Sequence, residues 1–345
     1  MSFLLRSVTE SGLVLLVLLV LMISVGHWGK RESVKSSKLS MEELLLSRRS
    51  FLETALLTAP LVVATESQSM APALAKPLPV RLSCNLYSFN EPLTKGQMTL
   101  EEVLVFCANL GFAAVDPTGY YFPNYPTLPD DAYVYQIKRR AFRLGLDISG
   151  TGVRNDFTLP DSNRRKAEVE LVRKWLGFAS KVGAPVLRIF AGTGKKLSSS
   201  YNREEVQKWV VDAIGECTTY AAQQGVMLVL QNHADFIRTA DDVLGVIRQV
   251  NSDWLAVNLD IGSFKIGDPY AQIAQVAPYA ATWQIKENLF VDGQEVATDL
   301  TKIMQIVGQS DYRGYLPIET LGKGDPKTKV SAFYEKVKKA VEAVG

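Results

Sequence analysis

Histidine and cysteine are both scarce in this 345-residue chain. His27 and His233 are its only histidines, and His27 lies ahead of the folded domain argued below. A zinc site built on two or three histidines is therefore excluded from that domain. The three cysteines, Cys84, Cys107 and Cys217, are widely spaced and form no CxxC pair. Cys107 (LVFCANL) and Cys217 (IGECTTY) fall in helical patterns, which points to buried free thiols. An excess of one charge is also missing. Lys and Arg number 38 against 36 Asp and Glu, a net charge of +2. No basic field is available to draw in nucleic acid or anionic lipid.

Two apolar segments precede the domain. Gly12 to Val25 (GLVLLVLLVLMISV) is shorter than the ~20 residues that comfortably span a bilayer. It reads as a signal-type segment or a short anchor. Further on, Ser47-Arg48-Arg49-Ser50-Phe51-Leu52 resembles the twin-arginine export motif. It is followed by ALLTAPLVVA and by Ala73-Leu74-Ala75, an A-x-A cleavage pattern. Met41 lies just ahead of the arginine pair. This divides the chain into an N-terminal extension at 1–40 (a start-site artefact or a membrane anchor), a leader at 41–75 and a domain at 76–345. The expected location is periplasmic, with a membrane reached only through an uncleaved leader.

From Lys76 onward, amphipathic helices end in glycine and an apolar run follows at once: NLGFAAVD, RLGLDISG, KVGAPVLRIF and QQGVMLVLQ. Glycine just past a helix supplies a left-handed cap, and the apolar runs read as strands buried on both faces. Thr99-Leu-Glu-Glu102 and Thr239-Ala-Asp-Asp242 mark helix starts as capping boxes. Strands are predicted near 80–84, 113–116, 147–150, 186–190, 227–231, 256–260, 282–286 and 315–319, with a last helix over 327–344. Eight strand–helix units in about 270 residues predict an α/β fold of the (β/α)8 TIM-barrel type.

Chemistry in such barrels lies at the C-terminal strand ends. Those ends here are Asp116-Pro-Thr-Gly-Tyr-Tyr, Gly152-Val-Arg-Asn-Asp, Arg188-Ile-Phe-Ala-Gly, Gln231-Asn-His, Asp260-Ile-Gly-Ser, Gln284-Ile-Lys-Glu-Asn and Glu319-Thr. A strand period of two makes Gln231 point with His233 and Gln284 with Lys286. The phrases LVLQNHAD, LAVNLDIGS, TWQIKEN and YLPIET, in that order, resemble the xylose isomerase-like barrel family, which contains sugar isomerases, ketose 3-epimerases and endonuclease IV. The resemblance covers essentially all of 76–345. DPTGYYFPNYP and DISGTGVRNDF add a likeness to an exported subgroup of sugar phosphate isomerase/epimerase-like proteins. Endonuclease IV is set aside, because its histidine-rich cluster cannot be built from His233 alone.

The resemblance implies metal-ligand positions at Gln231, Asp260, Gln284 and Glu319, where the sugar epimerases have Glu, Asp, His and Glu. Ser263 stands where the family usually has a histidine after the Asp. Two carboxylate and two amide oxygens form a hard set suited to Mg²⁺, Mn²⁺ or Ca²⁺. The alternative is a metal-free polar cup in which the amides bond the carboxylates. The candidate catalytic groups are His233, Lys286, Glu287 and Glu319. Lys286 is suited to polarising a carbonyl, and a salt bridge with Asp260 or Glu319 is compatible with that role. Arg188, Arg154, Tyr120 and Asp116 are the substrate-binding candidates, and Arg188, set within an apolar strand, requires a partner. A small-molecule carbohydrate is the implied partner. The reaction implied is proton transfer beside a carbonyl. An amide at 231 cannot serve as a second base, so one-base cleavage of a 3-keto-glycoside is the alternative, and a non-catalytic sugar-binding barrel is the other.

Overall fold

The structure is a computed structural model that describes residues 78–192, 201–233 and 236–344. Both leader segments, and with them the export reading, lie outside the described residues, as does Asp235.

The strands are β1 (Arg81–Asn85), β2 (Ala114–Asp116), β3 (Asp147–Ile148), β4 (Thr151–Gly152), β5 (Val186–Ile189), β6 (Met227–Gln231), β7 (Leu255–Asp260), β8 (Ala280–Lys286), β9 (Asn288–Val291), β10 (Gln294–Ala297) and β11 (Tyr315–Glu319). Nine form a sheet ordered β3-β2-β1-β11-β8-β7-β6-β5-β4, every pairing in it parallel. Since β3 and β4 are consecutive pieces of chain, the sheet returns on itself as an α/β TIM barrel. All eight predicted strand positions are occupied. Glycines 111, 183 and 225 are left-handed caps, and both capping boxes form. Each glycine accepts the positive φ that would strain any residue with a Cβ, and so frees the chain to turn directly into the next strand.

The third barrel strand departs from expectation. It was read as continuous over 147–150, but it breaks at Ser149-Gly150. Its first half pairs with β2 and its second with β5. Ser149 Oγ bonds Val115 O at 3.1 Å, and Thr151 Oγ1 bonds Pro117 O at 2.7 Å. Val115 O also accepts from Ser149 N at 2.8 Å, so the hydroxyls add side-chain bonds to backbone carbonyls on either side of the break. A Cβ on Gly150 would lie 2.9 Å from Val186 Cγ2, so only glycine passes there. The second departure is the antiparallel hairpin β9–β10, which follows β8 directly and has no counterpart in the strand–helix count.

The core includes Trp175, Trp283, Phe89, Phe157 and Phe264, all fully buried. The three cysteines are buried and free, as expected. Among the described residues no helix is long and apolar enough to cross a membrane.

Candidate active site

Strand register brings the polar residues to one level. Asn85 is aligned with Asp116, Gln231 with Asn258, Asp260 with Gln284, and Glu319 with Lys286. The apolar interior ends at this rim. Two asparagine forks extend it past the strands. Asn232 accepts from Asp260 N at 2.8 Å and donates to Asp260 O at 2.9 Å. Asn155 does the same for Phe190, at 2.9 and 2.7 Å. Each side chain stands in for a missing strand residue and holds the adjoining backbone.

Asp260 is the hub. Fully buried, it accepts on Oδ2 from Gln231 Nε2 at 2.9 Å and Ser263 Oγ at 2.8 Å. Lys286 Nζ also lies 3.1 Å from that oxygen, and Gly262 N bonds Oδ1 at 3.0 Å. With its lone pairs so engaged, Asp260 is an anchor rather than a base. Lys286 Nζ lies 3.1 Å from Glu319 Oε1 as well. Burial pulls the lysine pKa down, but Asp260 and then Glu319 outweigh it and hold Lys286 above the ordinary lysine range. Lys286 is therefore a fixed ammonium, able to polarise an oxygen but not to accept a proton. Its stem needs Gly262, where a Cβ would lie 2.8 Å from Lys286 Cδ.

The remaining candidates divide by position. A cavity of 420 Å³ is lined by Asn85, Tyr120, Arg154, Arg188, Gln231, His233, Gln284, Lys286 and Glu319, among others. Gln231 and His233 share it, as period two predicted. His233 is exposed at the rim, its ring 4.6 Å from that of Phe190. Arg188 finds its partners in Val153 O at 2.5 Å and Tyr120 Oη at 3.3 Å. Its guanidinium packs so closely on Gly152 that a Cβ there would lie 2.8 Å away. Arg154 lies over the Tyr120 ring, 4.5 Å from its centroid. Glu287 does not join this cavity. The strand turns it away from Lys286 toward Lys329, at 3.4 Å, on the border of a second cavity.

Asp116 is buried at the end of β2. Oδ2 accepts from Asn85 at 3.0 Å, and Oδ1 has no hydrogen-bond partner. Burial raises its pKa to about 6, with Arg188 opposing and Glu319 adding. Among the described residues it is neither a rim ligand nor part of either cavity's lining.

As arranged, the four expected ligand positions do not fit a divalent metal. Gln231 directs its donor nitrogen at Asp260, and at Gln284 Oε1 at 2.8 Å, so its NH2 occupies the inside of the cup. A carboxylate neighbour requires that amide orientation. Lys286 lies across the two acids that a cation would need. Among the described residues no group of three or more His, Cys, Asp and Glu is placed to hold an ion. Gln231 Nε2 bonds Asp260, and Lys286 supplies positive charge between Asp260 and Glu319.

The fold and rim define a parallel (β/α)8 barrel with a polar cavity at the C-terminal ends of its strands. More narrowly, the chain belongs to the Xylose isomerase-like TIM barrel family, whose sequence pattern matches residues 104–339. No curated protein matches it in sequence. Solved structures do match in fold. D-psicose 3-epimerase with D-tagatose from Clostridium cellulolyticum H10 is 14% identical with a TM-score of 0.63, over 76% of this chain and 99% of that one. The 3-keto-D-glucoside 4-epimerase from E. coli is 14% identical with a TM-score of 0.61, over 75% and 99%. A Xylose isomerase-like TIM barrel protein from Mycobacterium smegmatis in complex with magnesium is 18% identical with a TM-score of 0.56, over 77% and 98%.

Sequence reasoning missed the two asparagine forks, the role of Ser263 and the β9–β10 hairpin. Asn directly after an apolar run was the available signal for Asn232. Asn155 follows no such run.

Proposed function

We propose that this protein is a sugar isomerase/epimerase-like enzyme that moves a proton next to the carbonyl of a carbohydrate. The observation that carries this is the Lys286–Glu319 pair on the wall of a cavity whose volume suits a small ligand. A carbonyl oxygen placed against the Lys286 ammonium gains an electrophile fixed by two carboxylates. The proton on the neighbouring carbon then becomes acidic, and the charge left behind develops on an oxygen already facing a cation. Glu319 is the base this reading assigns. Lys286 holds its Oε1, and no donor among the described residues hydrogen-bonds Oε2. His233, at the cavity mouth, is assigned the return of a proton. Arg188, Arg154 and Tyr120 are assigned to the sugar hydroxyls and ring face. The neighbours' names, epimerases of psicose and of a keto-glucoside, support the carbohydrate class.

A second reading follows from one contact. Gln231 and Gln284 are amides bonded to one another, so a two-carboxylate epimerisation has no second carboxylate on that side. One-base cleavage of a 3-keto-glycoside needs only Glu319. The C2–H bond breaks, the C1–C2 double bond forms, and the C1–O bond breaks as its oxygen takes a proton. Water adding to the resulting enone restores the keto-sugar.

Loss of carbon-bound proton signal in deuterated water, followed by NMR across keto-sugars and 3-keto-glycosides, tests both readings. Exchange is expected with at least one compound, and Glu319→Gln is expected to slow it by a factor of ~10²–10⁴ while leaving binding in place. Binding without exchange or cleavage would instead make the protein a sugar-binding barrel. Export belongs to the same proposal, supported by the motif at 47–52. Protein recovered from its native host is expected to begin at Lys76 on N-terminal sequencing, whereas an N-terminus retained at Met1 or Met41 would remove the cleaved leader.

A further inference from the structure

The reactive pair does not lie at the end of a single pocket. A second cavity of 580 Å³ adjoins the first, and the two share His233, Lys286, Glu319 and Leu321 as a common wall. Either cavity alone falls in the ~300–1,000 Å³ range that holds a small ligand. The β9–β10 hairpin, which has no part in forming the barrel, contributes part of the second cavity's lining. Phe290 and Glu295 come from that hairpin, and Ser263 and Lys265 from the loop after β7.

Its chemistry is that of a carbohydrate subsite. Phe290 is half-buried and gives an aromatic face, with Lys265 Nζ 4.5 Å from its ring centroid. Asn288 Nδ2 donates to Glu295 Oε1 at 2.9 Å, which leaves the amide carbonyl and the second carboxylate oxygen as acceptors beside that ring. An aromatic face edged by polar groups of both signs suits a neutral, hydroxyl-rich ring better than an anion or an apolar chain. A free monosaccharide would fill the first cavity and leave the second to water.

We infer that the substrate is a glycoside of two sugar-sized units, one in each cavity, with the linkage lying over Lys286 and Glu319. This rests on the carbohydrate reading above and extends it from a sugar to a glycoside. It also gives the one-base cleavage a place for its departing unit.

Titration calorimetry of the full chain with 3-keto-glucose and 3-keto-cellobiose is the test, run in parallel with deuterium exchange on the same compounds. The disaccharide is expected to bind roughly tenfold or more tightly than the monosaccharide, a difference of about 1.4 kcal/mol. Phe290→Ala is expected to erase that difference without changing affinity for the monosaccharide. Lys265→Ala, which leaves the hairpin sequence intact, is expected to narrow it. Equal affinity for the two compounds would overturn the inference, as would no binding of either or a Phe290→Ala effect of the same size on both. Disaccharide preference without exchange would leave the two-unit site standing and remove only the proton-transfer reading.

Discussion

Lys286→Met is expected to unfold roughly 10 °C below the wild-type protein at neutral pH. Methionine keeps the length and packing of the lysine stem but removes the charge between Asp260 and Glu319. Those carboxylates, 0% and 4% exposed, would then face one another without a cation. Removing one partner of a buried ion pair costs about 3–5 kcal/mol, because the remaining charge stays desolvated. In a domain of this size each kcal/mol is worth about 2–4 °C. The loss is expected to shrink as pH falls, since unpaired buried carboxylates bind protons more readily in the folded state. Proton exchange at the sugar should also be lost, because the electrophile is gone.

The same variant tests the charge logic of the cup. Millimolar Mn²⁺ or Mg²⁺ is expected to restore several degrees to Lys286→Met and more to Gln231→Glu/Lys286→Met, which would supply three acids. The wild-type protein should show no shift, and elemental analysis should find it substoichiometric in divalent metal. A wild-type protein carrying a full equivalent of metal, or losing stability to chelators, would show that the lysine yields its place.

Asp116→Asn is expected to stabilise the protein at pH 8 by about 2–3 kcal/mol and to do almost nothing at pH 4. The Asp116 pKa rises from 3.8 to about 6 because the buried carboxyl disfavours its charged form. The folded state therefore binds the proton more tightly than the unfolded chain. The stability this contributes is complete below about 4 and is lost as pH rises through about 6. A shift of about two pKa units corresponds to roughly 3 kcal/mol as an upper figure. Asparagine is neutral throughout and can still accept from Asn85 through its carbonyl. Denaturant midpoints at the two pH values decide it. A benefit equal at both would mean that packing, not charge, is the cause.

Much of the barrel is legible in the sequence. Glycines 111, 145, 183 and 225 carry local steric information, and the apolar runs that follow them carry burial. The third strand was placed but not its break, because the close approach of Val186 to Gly150 spans 36 residues of chain. The rim residues were legible as a set, since the C-terminal ends of parallel strands face one way. Glu287 was harder. Its neighbour Lys286 points into the site, and only the pleat of β8 and the presence of Lys329 send Glu287 elsewhere.

By itself the sequence determined the eight-stranded barrel, the level of its polar rim and the loss of acid at 231 and histidine at 284. The barrel and its rim follow from periodicity and side-chain chemistry, which act over a few residues, and the two losses from the family resemblance. Tertiary structure alone decided what fills the cup and how far the site extends. Lys286 bridges Asp260 and Glu319 across three strands, and the hairpin after β8 lines part of a second cavity that shares this bridge as a wall. Ion pairing and cavity shape depend on which distant groups share a volume, and that is set only when the barrel closes and the hairpin packs beside it.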